Sequence, residues 1–173
     1  MTPRNVARVA AIAAVYAALT MLMAPISYGP VQVRVSELLT VLPYFTPLAT
    51  PGLFLGCLLA NVFGGMALGW ATGLWIFDVT LGSLATLLAA YLTGLTRRRG
   101  LSLLAPLPPV LINPLIVGSY LQQIFGNNYW LTVGYIFVGQ VVACYILGLP
   151  LLLLIRRHAK LRAIVAGIPE GEG

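Results

Sequence analysis

The chain alternates long apolar runs with short polar breaks. A helix that crosses a bilayer needs roughly 20 apolar residues, and fewer when it sits inside a bundle. On that measure the pattern predicts six helices. The first runs from about Val6 to Ala24 and stops at Pro25. The second, about Ser36 to Leu48, is short and carries Pro43 and Pro47. The third covers about Pro51 to Trp70, the fourth about Ala71 to Leu95, the fifth about Ala105 to Ile124 and the sixth about Tyr129 to Ile155. The alternating segments of about ten residues that announce a β-barrel are absent. The expected fold is an all-α membrane protein: a single domain over residues 1–173, a bundle of six transmembrane helices with both termini cytoplasmic and a basic tail over 156–173. Arg4 and Arg8 ahead of the first run resemble the start of a signal peptide. That run is long, lacks a clear cleavage site and is followed by further spans, so it is read as a retained helix.

Composition points the same way. The chain is 60% hydrophobic and 8% charged, against about 25% charged in a soluble domain, too little charge to cover a globule. The net charge of +6 comes from ten Lys and Arg against Glu37, Asp78, Glu170 and Glu172. A basic balance can signal nucleic acid, but here the basic residues flank the apolar runs, as the positive-inside rule requires, so a lipid bilayer is the expected partner and nucleic acid is not. Arg4 and Arg8 precede the first span, Arg97 to Arg99 follow the fourth, and Arg156, Arg157, Lys160 and Arg162 follow the sixth. With six spans all three groups share the cytoplasmic side of the cell membrane. Arg34 lies opposite them, near the level of Trp70, Trp75, Tyr129 and Trp130, which read as an interfacial aromatic belt.

Placed by depth, the polar side chains converge on the outer half of the bundle. Arg34 and Glu37 start the second span, Asp78 lies just inside the fourth, and Gln122, Gln123, Asn127 and Asn128 mark the outer turn between the fifth and sixth. Asn61, Asn113 and Gln140 lie deeper. Such a distribution predicts a pocket that opens outward and captures a small solute. A carboxylate at the depth of Asp78 costs on the order of 2.5–3.5 kcal/mol on insertion scales unless it is paired or wet. It is a ligand anchor or proton carrier, or else the partner of Arg34 or a helix cap. Arg34 and Glu37, three residues apart, either neutralise each other as helix neighbours or contact the ligand. Tyr28 and Gln32 add hydrogen-bonding groups to the same loop, whose direction Gly29-Pro30 fixes. Asn61, Asn113 and Gln140 serve as interhelix glue or as ligand contacts, Gln140 being the best placed for the second role. Tyr120 and Tyr145 either stack on a flat ligand or pack the core.

Small residues recur along the first span at helical spacing: Ala7, Ala11, Ala14 and Ala18, with Ala10 and Ala17 alongside. They make a narrow stripe that another helix can approach closely, within this chain or on a partner. Cys57 and Cys144 fall in apolar runs and read as buried thiols acting as small hydrophobes. No metal-type spacing occurs, and no cofactor is expected. The phosphate loop Gly-x-x-x-x-Gly-Lys-Ser/Thr is missing, as are His-Glu-x-x-His and Gly-x-Ser-x-Gly. The one histidine, His158, lies in the basic tail. An intramembrane enzyme is not expected.

The stretch from Tyr28 to Pro43, Tyr-Gly-Pro-Val-Gln-Val-Arg-Val-Ser-Glu-Leu-Leu-Thr-Val-Leu-Pro, resembles the signature of the QueT family. So do Gly56-Cys-Leu-Leu-Ala-Asn61, the run from Asp78 to Leu88 and the run from Leu107 to Gly118, so the likeness covers nearly the whole chain in order. The resemblance implies a substrate-binding (S) component of an energy-coupling factor (ECF) transporter, a six-helix subunit that takes a small molecule from outside. It would join a membrane coupling protein and two cytoplasmic ATPases, and its toppling in the membrane would deliver the ligand inward. The implied ligand is a precursor of queuosine, a 7-deazaguanine such as the aminomethyl form or queuine; the alternatives are another vitamin-like compound, or a solitary transporter coupled to protons through Asp78 or Glu37. An Ala-x-x-x-Ala pattern on the first span would dock the coupling protein, which Ala10 with Ala14, or Ala14 with Ala18, fits. A carboxylate or amide oxygen suits the donor edge of a deazaguanine and an N–H or guanidinium its carbonyl. Glu37, Asp78 and Gln140 fit the first role, and Arg34, Asn61 or Asn113 the second. The resemblance implies an acid at the position of Gln140, and this chain departs from it there.

Overall fold

The computed structural model describes residues 1–29, 31–68 and 75–167. Expectations that rest on Pro30, Trp70, Ala71, Glu170 or Glu172 lie outside them. The described residues are helical, without strands. Helix α1 is Pro3–Leu22, capped by the Thr2 hydroxyl, which accepts from the Asn5 N–H. Pro3 sits in the first turn, where its missing N–H costs nothing. After a single turn at Ala24–Ser27 and an extended stretch comes a 3-10 helix, Val35–Tyr44. Then follow α2 (Ala49–Leu68), α3 (Trp75–Arg98), α4 (Leu107–Phe125), α5 (Tyr129–Arg157) and the short α6 (Ala159–Ala166). Five helices, α1 to α5, are long and apolar enough to cross a membrane.

The second predicted span is the exception. Within it the ten residues of Val35–Tyr44 form a 3-10 helix, which at ~2.0 Å per residue extends ~20 Å, short of the roughly 30 Å of a hydrocarbon core. Pro43 has no N–H to give a helical ladder, and the Thr40 hydroxyl donates to the Glu37 carbonyl, diverting another ladder acceptor. The segment still runs back along α1. Ser36 Oγ lies 2.6 Å from Thr20 Oγ1 near one end of α1, while Leu42 and Thr46 share a cavity wall with Arg8 near the other.

The basic groups gather at that second end. Arg97 donates to the Phe45 carbonyl at 2.9 Å, Arg156 donates to Ser102 Oγ, and Arg8 and Arg4 line one cavity with Gly167. At the opposite end Tyr129 and Trp130 pack edge to face, with ring centroids 4.9 Å apart, and Asn128 caps α5 by accepting from the Trp130 N–H.

Lipid gives helices little hydrophobic reason to associate, so close approach of small residues has to do that work. It does so between α1 and α2. A Cβ on Gly56 would lie 2.7 Å from Tyr16 Cβ and 2.8 Å from the Ala13 carbonyl, and one on Gly52 2.9 Å from Ile12 Cβ. The α1 face against α2 is Val9, Ala13, Tyr16 and Thr20, spaced as one side of a helix. Ala7, Ala10, Ala11, Ala14 and Ala18 point away from it and are exposed. Ala11 shares a cavity wall with Ile164 and Val165 of α6, while Ala7, Ala10, Ala14 and Ala18 stay exposed.

Replacing Gly56 with leucine is expected to destabilise the bundle by about 1–3 kcal/mol through overpacking. Gly134→Ala, where an added Cβ meets nothing within 4 Å, should be neutral or gain up to about 1 kcal/mol of helix propensity. Thermal unfolding of the two variants in detergent checks both signs.

Candidate functional site

The site grows from three places where the backbone leaves the regular α-helix. The 3-10 helix starts after Arg34, whose backbone is extended, and it carries Glu37 in its first turn. Helix α3 opens into a π-helical turn over Asp78–Gly82, and α5 into a longer one over Val141–Gly148, immediately after Gln140. Such turns widen a helix and recur at functional sites. In α5 the cause is legible: Pro150 has no N–H to close the preceding α turn. Helix α4 contributes Asn113 directly before the internal Pro114.

These elements bring together most of the residues singled out in the sequence. Gln32, Arg34, Glu37, Asn61, Asp78, Asn113, Tyr120 and Gln140 are all buried, each 4% exposed or less. Arg34 Nη2 lies 3.2 Å from Asp78 Oδ2 and 3.3 Å from Oδ1, an ion pair within the bundle. The two readings of Arg34 thus resolve toward Asp78. Arg34 precedes the 3-10 helix rather than lying in it, so its spacing of three from Glu37 does not make them helix neighbours. Tyr120 donates its hydroxyl to Asp78 Oδ1, and the Asn61 amide donates to the Asp78 carbonyl at 2.7 Å. Gly82 makes room for this knot. A Cβ there would stand 2.9 Å from the Tyr120 hydroxyl and 3.1 Å from Asp78 Oδ1.

Glu37 heads a second group. Its Oε1 accepts from the Tyr16 hydroxyl, and its Oε2 accepts from Asn113 Nδ2 at 3.3 Å. Cys144 joins Gln140 to the same corner, with its Sγ 3.3 Å from Gln140 Oε1 and 3.7 Å from the Glu37 carbonyl. The Gln32 backbone passes so close to Gly139 that no side chain fits there, which sets this loop against α5 one residue before Gln140.

Tyr28 is buried over the cluster. Its hydroxyl donates to the Ala60 carbonyl at 2.6 Å, and the Arg34 guanidinium sits 5.5 Å from its ring centroid. Burial pushes its phenol up to about 12, partly offset by Arg34, so it stays a neutral donor. The Tyr120 ring stacks on Phe77 with centroids 6.4 Å apart. Tyr145 is half-buried against the core of Val110, Ala143 and Cys144. Gln122 donates to the Ser119 carbonyl, which is local helix chemistry.

Four contributors escaped the sequence reading. Tyr16 and Thr20 enter from α1, whose alanines drew attention to its other face. The two thiols, each packed in a hydrophobic cluster, also face polar groups. Cys57 Sγ lies 3.3 Å from Thr86 Oγ1, 3.4 Å from Asn61 Nδ2 and 3.7 Å from Arg34 Nη1. The spacing of Tyr16 and Thr20, four apart on the face away from the alanines, was the available signal for α1. Nothing in the sequence signalled the thiols.

Several buried polar atoms of the cluster have no protein partner: Gln32 Nε2 and Arg34 Nε, which donate, and Asn61 Oδ1 and Asn113 Oδ1, which accept. Buried groups are normally satisfied, and each exception asks for an explanation. Unmatched donors and unmatched acceptors within one cluster suit a flat solute with both kinds of edge.

Residues 6–157 match the family described as QueT transporter. Over 85 residues the chain is 34% identical to the queuosine precursor transporter QueT of Lactococcus lactis subsp. cremoris (strain MG1363). That alignment covers 48% of this chain and 45% of the relative, a little under half of each. No solved structure matches.

Asp78→Asn leaves the Arg34 guanidinium buried without its carboxylate and is expected to cost about 3–5 kcal/mol. A paired Arg34→Met, Asp78→Leu replacement should recover most of that loss, because two apolar groups leave no charge unmatched. Denaturant unfolding of the single and double variants measures the difference.

Proposed function

The chain belongs to the QueT transporter family, and from that premise we propose that it is the substrate-capture (S) component of an ECF importer for a queuosine precursor. The ligand is a 7-deazaguanine, such as the aminomethyl form or queuine, taken from outside the cell membrane. The observation that carries this reading is the buried cluster around Arg34, Glu37 and Asp78, with unmatched donors at Gln32 and Arg34 and unmatched acceptors at Asn61 and Asn113. A deazaguanine has a donor edge of ring N–H and exocyclic amine beside a carbonyl, which complements such a set. The name of the Lactococcus relative points to the same solute class.

The sequence has no phosphate loop of its own, so ATP would be hydrolysed by partners, a membrane coupling protein and two cytoplasmic ATPases. The exposed alanine face of α1 supports that assembly, since Ala10, Ala14 and Ala18 lie on one side with no cover from the described residues. A partner helix can approach such a stripe at backbone distance.

The chain purified from cells that make queuosine precursors is expected to carry a 7-deazaguanine, identified by mass spectrometry of the extracted ligand. A thiazole or flavin in its place would assign the subunit another cargo. Proton-driven uptake by this chain alone in vesicles would overturn the ECF reading. Ala14→Trp should leave ligand binding intact and weaken co-purification with the coupling protein by roughly tenfold or more, about 1.4 kcal/mol.

A further inference from the structure

The charged groups in the interior do not balance. Among the described residues three are buried there, Arg34, Glu37 and Asp78, at 4%, 1% and 1% exposure. Every other Lys or Arg lies at positions 4–8, 97–99 or 156–162, the segments gathered at the basic end of the bundle. Arg34 is committed to Asp78. Glu37 is left with two neutral donors, the Tyr16 hydroxyl and the Asn113 amide, and the only ion pair among the described residues is Arg34 with Asp78. One buried guanidinium thus serves two buried carboxylates, a costly arrangement inside a bundle.

Resting on the reading above, we propose that the corner formed by Glu37, Asn113 and Gln140 is a site for a primary ammonium group, so that the protein selects a monocationic base over its neutral isostere. The corner presents oxygens. Glu37 Oε2 faces Asn113, whose amide orientation follows from that contact, because the reverse would set two oxygens together. Asn113 Oδ1 is then an acceptor without a protein donor. Gln140 Oε1 accepts only the weak donor Cys144 Sγ. A primary ammonium has three N–H donors and no acceptor, the complement of a carboxylate beside under-satisfied amide oxygens. The guanidinium of Arg34 and the amide of Gln32 keep unmatched donors in the same cluster, suited to the carbonyl edge of the base. A bound monocation brings the three buried charges to neutrality, and a neutral ligand leaves one net negative charge in the interior.

The test is calorimetric titration of the purified full chain in detergent with 7-aminomethyl-7-deazaguanine, a cation at neutral pH, and with 7-cyano-7-deazaguanine, which is neutral. The amine is expected to bind roughly 100-fold more tightly, the scale of a close desolvated charge pair. Glu37→Gln should collapse that ratio toward one. Should this variant not fold, Glu37→Asp, which keeps the charge but withdraws it by one methylene, should lower the affinity for the amine while the nitrile's stays where it was. Equal affinity of wild-type protein for the two bases overturns the ammonium site and leaves the proposed function standing. Failure to bind either base overturns the proposed function itself. A preference for the amine that survives unchanged in Glu37→Gln and Glu37→Asp removes Glu37 from the role.

Discussion

The ion pair between Arg34 and Asp78 organises this molecule. A guanidinium and a carboxylate in an apolar bundle are tolerable only together, and their union fixes several other things. It holds the extended stretch before the 3-10 helix against α3. That placement aims Glu37 inward from the first turn of the 3-10 helix and sets the Gln32 backbone on Gly139. Tyr120 and Asn61 then close around Asp78 from α4 and α2. Five separate elements therefore share one electrostatic knot. Its members lie far apart in sequence and close in space.

The knot coincides with irregular backbone, and the two belong together. Inside a membrane every backbone polar group has to be satisfied within the protein. A π-helical turn or a proline displaces carbonyls from the regular ladder, and these then need side-chain donors. Here the Asp78 carbonyl takes the Asn61 amide, the Gly82 carbonyl takes the Thr86 hydroxyl, and the Glu37 carbonyl takes the Thr40 hydroxyl, with the Cys144 thiol also turned toward it. Polar residues in the spans thus serve two ends. They repair the backbone where it departs from the α-helix, and the same departures turn ionisable side chains toward a common centre. Asn61 shows why glue and ligand contact are not exclusive: its nitrogen binds backbone while its oxygen has no protein partner.

The spans, the gathering of basic residues at one end and the inward side chains were legible because each follows from a simple rule: apolar length, charge distribution, and the cost of burying polarity in lipid. The second span was legible as short and proline-bearing, yet its 3-10 geometry was not, because it depends on the Thr40 hydroxyl and on packing along α1. The same limit hid the π-helical turns, for which hydropathy carries no signal. The choice of Arg34 between Glu37 and Asp78 also lay beyond the sequence. Spacing favoured the near neighbour, and the pairing with a residue 44 positions away came from the fold. Cys57 and Cys144 are buried in hydrophobic clusters, as their residue type implies, and the fold adds what residue type does not carry, the hydroxyls, amides and guanidinium beside them.

Helix α1 carries the last step. It lays Tyr16 and Thr20 on Glu37 and Ser36 with one face and presents bare alanines with the other. Its packing on α2 runs through Gly52 and Gly56, where no side chain cushions the contact. Close-packed interfaces of this kind do not deform smoothly; they hold one arrangement or shift to another. On the proposed reading, a ligand that draws on Glu37 competes with or reinforces the Tyr16 hydroxyl, and the helix that feels that change is the one offered to the coupling partner. Linkage requires any such coupling to act in both directions. A partner that prefers one setting of α1 must then alter the hold on the ligand by the same factor, which is what a capture subunit needs if it is to bind outside and release within the assembly.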